Sequence, residues 1–145
     1  SAVDTLGEPQ RELIVHGLRL AQEGEWVKAC SPLLHGIEGA FWAAARSEGL
    51  VDGRHHWTEG ARRPVSSVDA LLCRLPLERP LLTFLRHKVL GGTGNAFRHG
   101  DAQSGHREEV LYLFAALIGW LETFAAQRPI PFERHLLGAL RAAAS

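Results

Sequence analysis

Apolar residues recur at three- and four-residue spacing along almost the whole chain, so the pattern predicts helices. Glu8-Pro9 opens a first helix with Leu13, Ile14, Gly17, Leu18 and Ala21 on one face, and Gly24 closes it. A second, longer helix begins at Trp26 and runs to about Glu48, with Ala29, Cys30, Leu33, Ile37, Phe41, Ala44 and Ala45 on its apolar side. Pro32 marks a kink in it or a later start at Ser31. The short Gly24-Glu25-Trp26 link predicts an antiparallel hairpin.

From Gly49 to Pro64 the pattern gives way to an irregular, basic stretch, GLVDGRHHWTEGARRP, which reads as an exposed, mobile loop. Ser66 or Ser67 then caps a short helix, VDALLCRL, with Asp69 in its first turn. Pro76 and Pro80 end it, and Pro80 starts LLTFLRHKVL. After a glycine-broken loop, a long helix runs from His106 to about Gln127, with Glu108 and Glu109 in its first turn. Val110, Phe114, Leu117, Leu121 and Phe124 follow a four-three spacing, and Leu111, Leu113, Ile118 and Trp120 carry apolarity nearly all round the cylinder. Such a helix is either central to a bundle or shared with another subunit. Past Pro129-Ile-Pro131 a last helix spans Phe132 to about Ala143. With no strand-period alternation and no internal repeat, the expectation is an all-α, up-and-down bundle of four to five main helices, one domain over residues 1–145.

Composition narrows the partners. The 145 residues are enough for one unstapled core, and 46% apolar with 22% charged residues is ordinary for a globular domain. The 16 basic and 16 acidic side chains cancel, so any anionic partner must be held by a local cluster. Cys30 and Cys73 both sit in apolar helical patterns, as reduced core thiols in a cytoplasm would. The longest apolar run, the 12 residues Val110 to Leu121, falls well short of the ~20 that span a bilayer. The chain opens without a basic segment followed by an apolar stretch, so the expectation is a cytoplasmic protein without signal peptide or membrane partner. Its start at Ser1 and lack of methionine suit a processed initiator and a domain cut from a longer protein alike.

The densest candidate chemistry is Gly91 to Glu109, GGTGNAFRHGDAQSGHREE, just ahead of the most apolar helix. Histidine exchanges protons near neutral pH, and arginine is a permanent forked donor suited to phosphate oxygens. Asn95, Arg98 and His99 together suit phosphodiester chemistry, with His99 as general acid or base and Arg98 stabilising developing charge. Adjacent residues on a helix diverge, so Arg98 and His99 converge only if the backbone turns there or a second subunit completes the site. The structural reading is that Asn95 caps a turn, His99 bonds a carbonyl and Arg98 pairs with Asp101 or Glu38. Glu38, in LLHGIEGAFWAAA with His35 three residues earlier, is a candidate to orient the loop histidine or pair with Arg98, or simply sits at the bundle edge.

The order of hairpin, variable insertion, N-x-x-x-H-G turn and apolar helix, spanning Trp26 to Phe124, resembles the HEPN superfamily of helical nucleotide- and RNA-binding domains. The resemblance implies a four- to five-helix bundle, a homodimer and, in active members, metal-independent RNA cleavage by an R-x4-6-H motif in which Asn often follows the Arg. His99 then matches the motif histidine and Asn95 the asparagine, while Gly94 stands where the arginine belongs. Arg98 could replace it only with different geometry, so the expectation is RNA or nucleotide binding without cleavage, within a defence or toxin–antitoxin system. Were cleavage retained, a ribose 2′-OH would attack the adjacent phosphate, with His99 moving the proton and Arg98 steadying the charge.

Arg86-His87-Lys88 with Arg98 and Arg107 would make a positive, ligand-binding surface if the loop folds back. Arg54, His55, His56, Arg62 and Arg63 interleave with Trp57 as in a stacking-plus-phosphate site for single-stranded RNA, or form a solvated loop that Trp57 anchors. GGTGNA lacks the lysine and preceding strand of a phosphate loop, and no cofactor is expected. No recognised metal set is present, and His35, Glu38, His99 and His106 could meet only if the loop folds over the second helix. Two rival functions remain: a non-enzymatic protein-interaction or dimerisation module built on the Val110–Phe124 helix, and a metal-dependent hydrolase.

Overall fold

A computed structural model describes residues 8–94, 107–124 and 131–145, and these form an all-α bundle. Its helices are α1 (Glu8–Gln22), α2 (Trp26–Ser47), α3 (Val68–Arg74), α4 (Arg79–Phe84), α5 (Arg107–Phe124) and α6 (Pro131–Ala144). The chain of α4 runs on without a break as a π-helix over Leu85–Gly94.

The α1–α2 hairpin closes as the spacing predicts. Gly24 takes φ +81°, its N–H reaches the Ala21 carbonyl at 3.0 Å, and the Glu25 N–H reaches the Leu20 carbonyl at 2.9 Å. That pair of bonds, with a left-handed glycine, is a Schellman ending. Gly49, at φ +73°, ends α2 in the same way, with Leu50 N–H to Ala45 and Gly49 N–H to Arg46. Pro32 does not mark the start of α2; it lies inside the helix. Its missing N–H deprives only the Lys28 carbonyl, and Lys28 is exposed to water.

Contacts fix the directions of the helices. Gly17 faces Leu33, Gly36 faces Ile14 and Gly39 faces Gln10, so α1 and α2 run antiparallel. Phe41 meets Trp120 with ring centroids 5.0 Å apart, while Arg107 lies over Trp26, so α5 runs beside α2 in the same direction. Between them, α4 and the π-helix run the opposite way: Leu81 packs on Gly119, and Phe84 and Lys88 meet Tyr112. Arg141 of α6 pairs with Glu122 of α5. Over α1, α2, the α4–π strut and α5 the path is up-and-down, with α3 as a short side element.

The centre is α5. Val110, Leu113, Phe114, Ala116, Leu117, Trp120 and Leu121 are buried against α2, α6 and the α4–π strut. Its all-round apolarity is thus used largely within the chain; Leu111 and Ile118 stay half-buried and Ala115 is exposed. No helix among the described residues is long and apolar enough to cross a membrane.

Candidate functional site

The segment that the sequence marks out begins where the π-helix ends. A π-helix is uncommon, and where it occurs it is often at a functional site. Here its wide turn is helped by Gly91, where a Cβ would stand 3.1 Å from the Arg86 carbonyl. Asn95, Arg98 and His99, with Asp101 and His106, lie outside the described residues. Arg107 and Glu38 lie within them.

Arg107 opens α5, and its guanidinium stands 5.8 Å from the Trp26 ring centroid, within the range of a cation–π contact. Beside this pair, Ala21, Gln22, Gly24, Trp26, Phe114 and Ala143 line a cavity of about 240 Å³. The junction therefore offers a permanent cation, an indole face and an apolar hollow together. Glu108 and Glu109 occupy the first turn of α5. Their charge offsets the positive end of the helix dipole, so an anion held here depends on side-chain cations and not on the helix end.

Among the described residues, Arg86 and Lys88 have partners of their own. Arg86 is committed to Asp69 through Nε–Oδ1 at 2.7 Å and a second bond at 3.3 Å, a fork that ties the π-helix to α3. This hydrogen bond, then the Asp69 charge, pushes the Arg86 pKa further up. Lys88 lies 5.5 Å from the Tyr112 ring centroid, and the Tyr112 hydroxyl donates to Glu108 Oε1 at 2.7 Å. That bond, and then the Glu108 charge, hold the phenol above its ordinary pKa. Of the basic side chains predicted to form one positive surface, Arg86 and Lys88 thus meet acidic or aromatic partners elsewhere, and Arg107 alone stands at the α5 junction among those described.

Cys30 lies near Glu109; burial first, and that carboxylate second, push its thiol up to about 11. Glu38 is eight residues further along α2, about 12 Å beyond the level of Glu109. It is half-buried and takes part in an interaction of its own. His35 is exposed, with its Nδ1 3.3 Å from Ser31 Oγ. Among the described residues no group of three or more His, Cys, Asp or Glu is placed to hold a metal ion.

The basic stretch after α2 is a loop held by hydrogen bonds of its own. Asp52 organises it: one carboxylate oxygen accepts the Arg54 N–H at 2.8 Å and the His56 N–H at 3.1 Å. These backbone bonds hold the Asp52 carboxyl below its ordinary pKa. Isolated antiparallel bridges join Val51 to Trp57 and His56 to Pro64, and the Thr58 hydroxyl donates to the Gly49 carbonyl at 2.6 Å. Trp57 does anchor the loop: it is half-buried on the core, with the Arg74 guanidinium 4.6 Å from its ring centroid and Glu59 bound to that same arginine at 3.1 Å. Unforeseen is the partner of His55. Its imidazole lies flat on Trp42, centroids 3.7 Å apart and planes within 6°. Asp52-Gly53 was the available sign of a tight turn, but nothing local tied it to Trp42.

No family model, curated protein or solved structure matches the chain.

Proposed function

We propose that this chain is an RNA- or nucleotide-binding helical domain of the HEPN kind, whose site is formed by Asn95, Arg98, His99 and Arg107 at the start of α5. One observation carries the reading: eight residues after His99, Arg107 stands over Trp26 beside the apolar cavity. A nucleotide needs a cation for phosphate and an aromatic or apolar surface for its base, and both are present there. The up-and-down bundle with a buried helix after the polar segment is the arrangement that the family resemblance calls for.

The site binds without cutting. Gly94 occupies the motif position where a guanidinium would stabilise the phosphorane, and glycine has no side chain to offer. The domain acts as a homodimer in a defence or toxin–antitoxin system in the cytoplasm. The test compares RNA binding and cleavage by the wild type, His99→Ala and Arg107→Ala, in chelator and at matched salt. Binding that weakens in both variants with folding intact supports the reading. Chelator-resistant cleavage lost in His99→Ala would restore nuclease activity to it; unchanged binding in both variants would overturn it.

A second reading, a protein-interaction module, draws on Leu111 and Ile118, which stay half-buried on the face of α5 that also exposes Ala115.

A further inference from the structure

The Trp42–His55 pair belongs to no part of the site at α5. Trp42 is half-buried on the core and rigid on α2. His55 covers one of its faces, yet His55 itself is exposed, so the outer face of the imidazole is open to water. A flat ring backed by an indole and open on its other side is a stacking platform, the feature by which proteins seize unpaired bases.

The platform is held ready. His55 has φ +61° and Arg62 φ +52°, the only non-glycine residues with positive φ among those described, and both lie in this loop. A left-handed backbone at such residues costs on the order of 1–2 kcal/mol and persists only where its surroundings impose it. The Asp52 bonds impose it at His55, together with His55 N–H to the Asp52 carbonyl at 3.2 Å and Val65 N–H to the His55 carbonyl at 2.9 Å. Ordering the loop therefore costs a ligand nothing.

The same loop carries three arginines. Arg54, Arg62 and Arg63 are all exposed, and no ion pair holds any of them among the described residues. The acidic groups of the loop are occupied: Asp52 by backbone N–H groups and His56, Glu59 by Arg74. From the geometry we infer that the loop at 49–65 and Trp42 form a binding site for single-stranded polynucleotide, with one unpaired base stacking on His55 and phosphates meeting Arg54 and Arg63. The interior of a duplex does not fit it, because bases paired inside the stack have both faces covered. The site lies well away from Arg107, since Trp42 is 16 residues along α2 from Trp26, about 24 Å. It stands independently of the function proposed at α5.

The test titrates fluorescein-labelled single-stranded oligouridine, oligothymidine and a duplex of equal length against the whole chain, at low and at physiological salt. His55→Gly removes the ring at a backbone position glycine accepts; His55→Asn, also tolerant of left-handed backbone, is the second variant should the first unfold. The single strands are expected to bind more tightly than the duplex, and either variant to weaken them about 5- to 150-fold. Arg54→Gln with Arg63→Gln is expected to flatten the slope of log affinity against log salt by about 1.4. No binding of single strands, equal affinity in the His55 variants, a duplex bound as tightly, or loss on Arg107→Ala with His55→Gly unaffected would each overturn the assignment.

Discussion

A Cβ built on Gly17 of α1 would stand 2.5 Å from Cγ of Leu33 on α2, and 3.3 Å from the Ala29 carbonyl. The two helices touch at their backbones here, and Leu33 is fully buried, so it has no free end to swing aside. Gly36 repeats the arrangement one turn on, 2.7 Å from Ile14 Cγ1. The glycines are the reason that the hairpin can pack so closely.

Two opposite outcomes are therefore expected from the same substitution. Alanine gains about 1 kcal/mol over glycine in a helix interior, and overpacking a tight contact costs about 1–3 kcal/mol. At Gly17 the clash falls on a buried branched carbon, so Gly17→Ala lowers stability by up to about 2 kcal/mol net. At Gly138 on α6 nothing lies within 4 Å, and Gly138→Ala is expected to raise it by up to about 1 kcal/mol. Urea melts of both variants against the wild type decide it; destabilisation by both would mean that α6 does not tolerate the methyl that its open surroundings allow.

The cysteines should separate by reactivity. Cys30 is buried, with its thiol pushed up to about 11, whereas Cys73 is exposed. The thiolate is the reactive form, so in the native state Cys73 alone is expected to alkylate rapidly at neutral pH, and Cys30 only at the rate of global opening. A native pKa above the ordinary 9.0 means that the folded state favours the neutral thiol. Its contribution to stability is complete below pH 9 and is lost as pH rises from there through about 11. Mass spectrometry after brief alkylation reads the first effect, and melting temperatures of wild type and Cys30→Ala across that alkaline range read the second. Equal labelling of both cysteines would mean that Cys30 is not sealed in the core.

Helix order and the central place of α5 were legible because periodicity survives in every α-helix longer than two turns. Of the set that the spacing marks, Val110, Phe114, Leu117 and Leu121 are buried and Phe124 is half-buried, while Leu113 and Trp120 from the flanking apolar positions are buried with them. The choice between a central helix and one shared with another subunit needed the partners: α2, α6 and the α4–π strut cover most of its girth within one chain. Pro32 misled because proline rules describe a missing bond and not who can replace it. The π-helix was missed since LRHKVLGGTG has no period of its own, and its wide turn depends on packing against α5 and on Gly91. For the candidate site, sequence marked Arg107 as a ligand-binding cation but not its partner Trp26, which reads as an ordinary core position. The His55–Trp42 stack was invisible for the same reason: thirteen residues separate the rings, and a left-handed backbone at His55 brings them together.

The cap of α3 can be tested by itself. Ser67 has extended backbone, φ −161° and ψ 159°, and its hydroxyl oxygen accepts the Ala70 N–H at 3.1 Å. A seven-residue helix has few bonds of its own, so a lost cap is felt through the whole element. Ser67→Ala is expected to cost about 1 kcal/mol, and Ser67→Asp to restore it. An undiminished urea midpoint in Ser67→Ala would show that packing of Leu71 and Leu72, both fully buried, holds α3 without its cap.

Asp52 should govern the loop without governing the fold. Its carboxylate gathers the Arg54 and His56 N–H groups of the loop itself. Asp52→Ala is therefore expected to leave the main melting transition in place while speeding trypsin cleavage of the loop after Arg54 and Arg62 relative to the wild type; the Arg63–Pro64 bond is not a trypsin site. The pH dependence follows from the sign of the shift. Those backbone bonds lower the Asp52 pKa, so the carboxylate is favoured in the folded loop. Its contribution is complete above the ordinary value of 3.8 and is lost as pH falls through the lowered one. Asp52→Asn separates charge from geometry, since the amide oxygen can still accept both N–H groups. Protection retained in Asp52→Asn and lost in Asp52→Ala assigns the effect to hydrogen bonding; loss in both requires the charge, through His56 and Arg62. Wild-type cleavage as fast as that of Asp52→Ala would show that Asp52 does not order the loop.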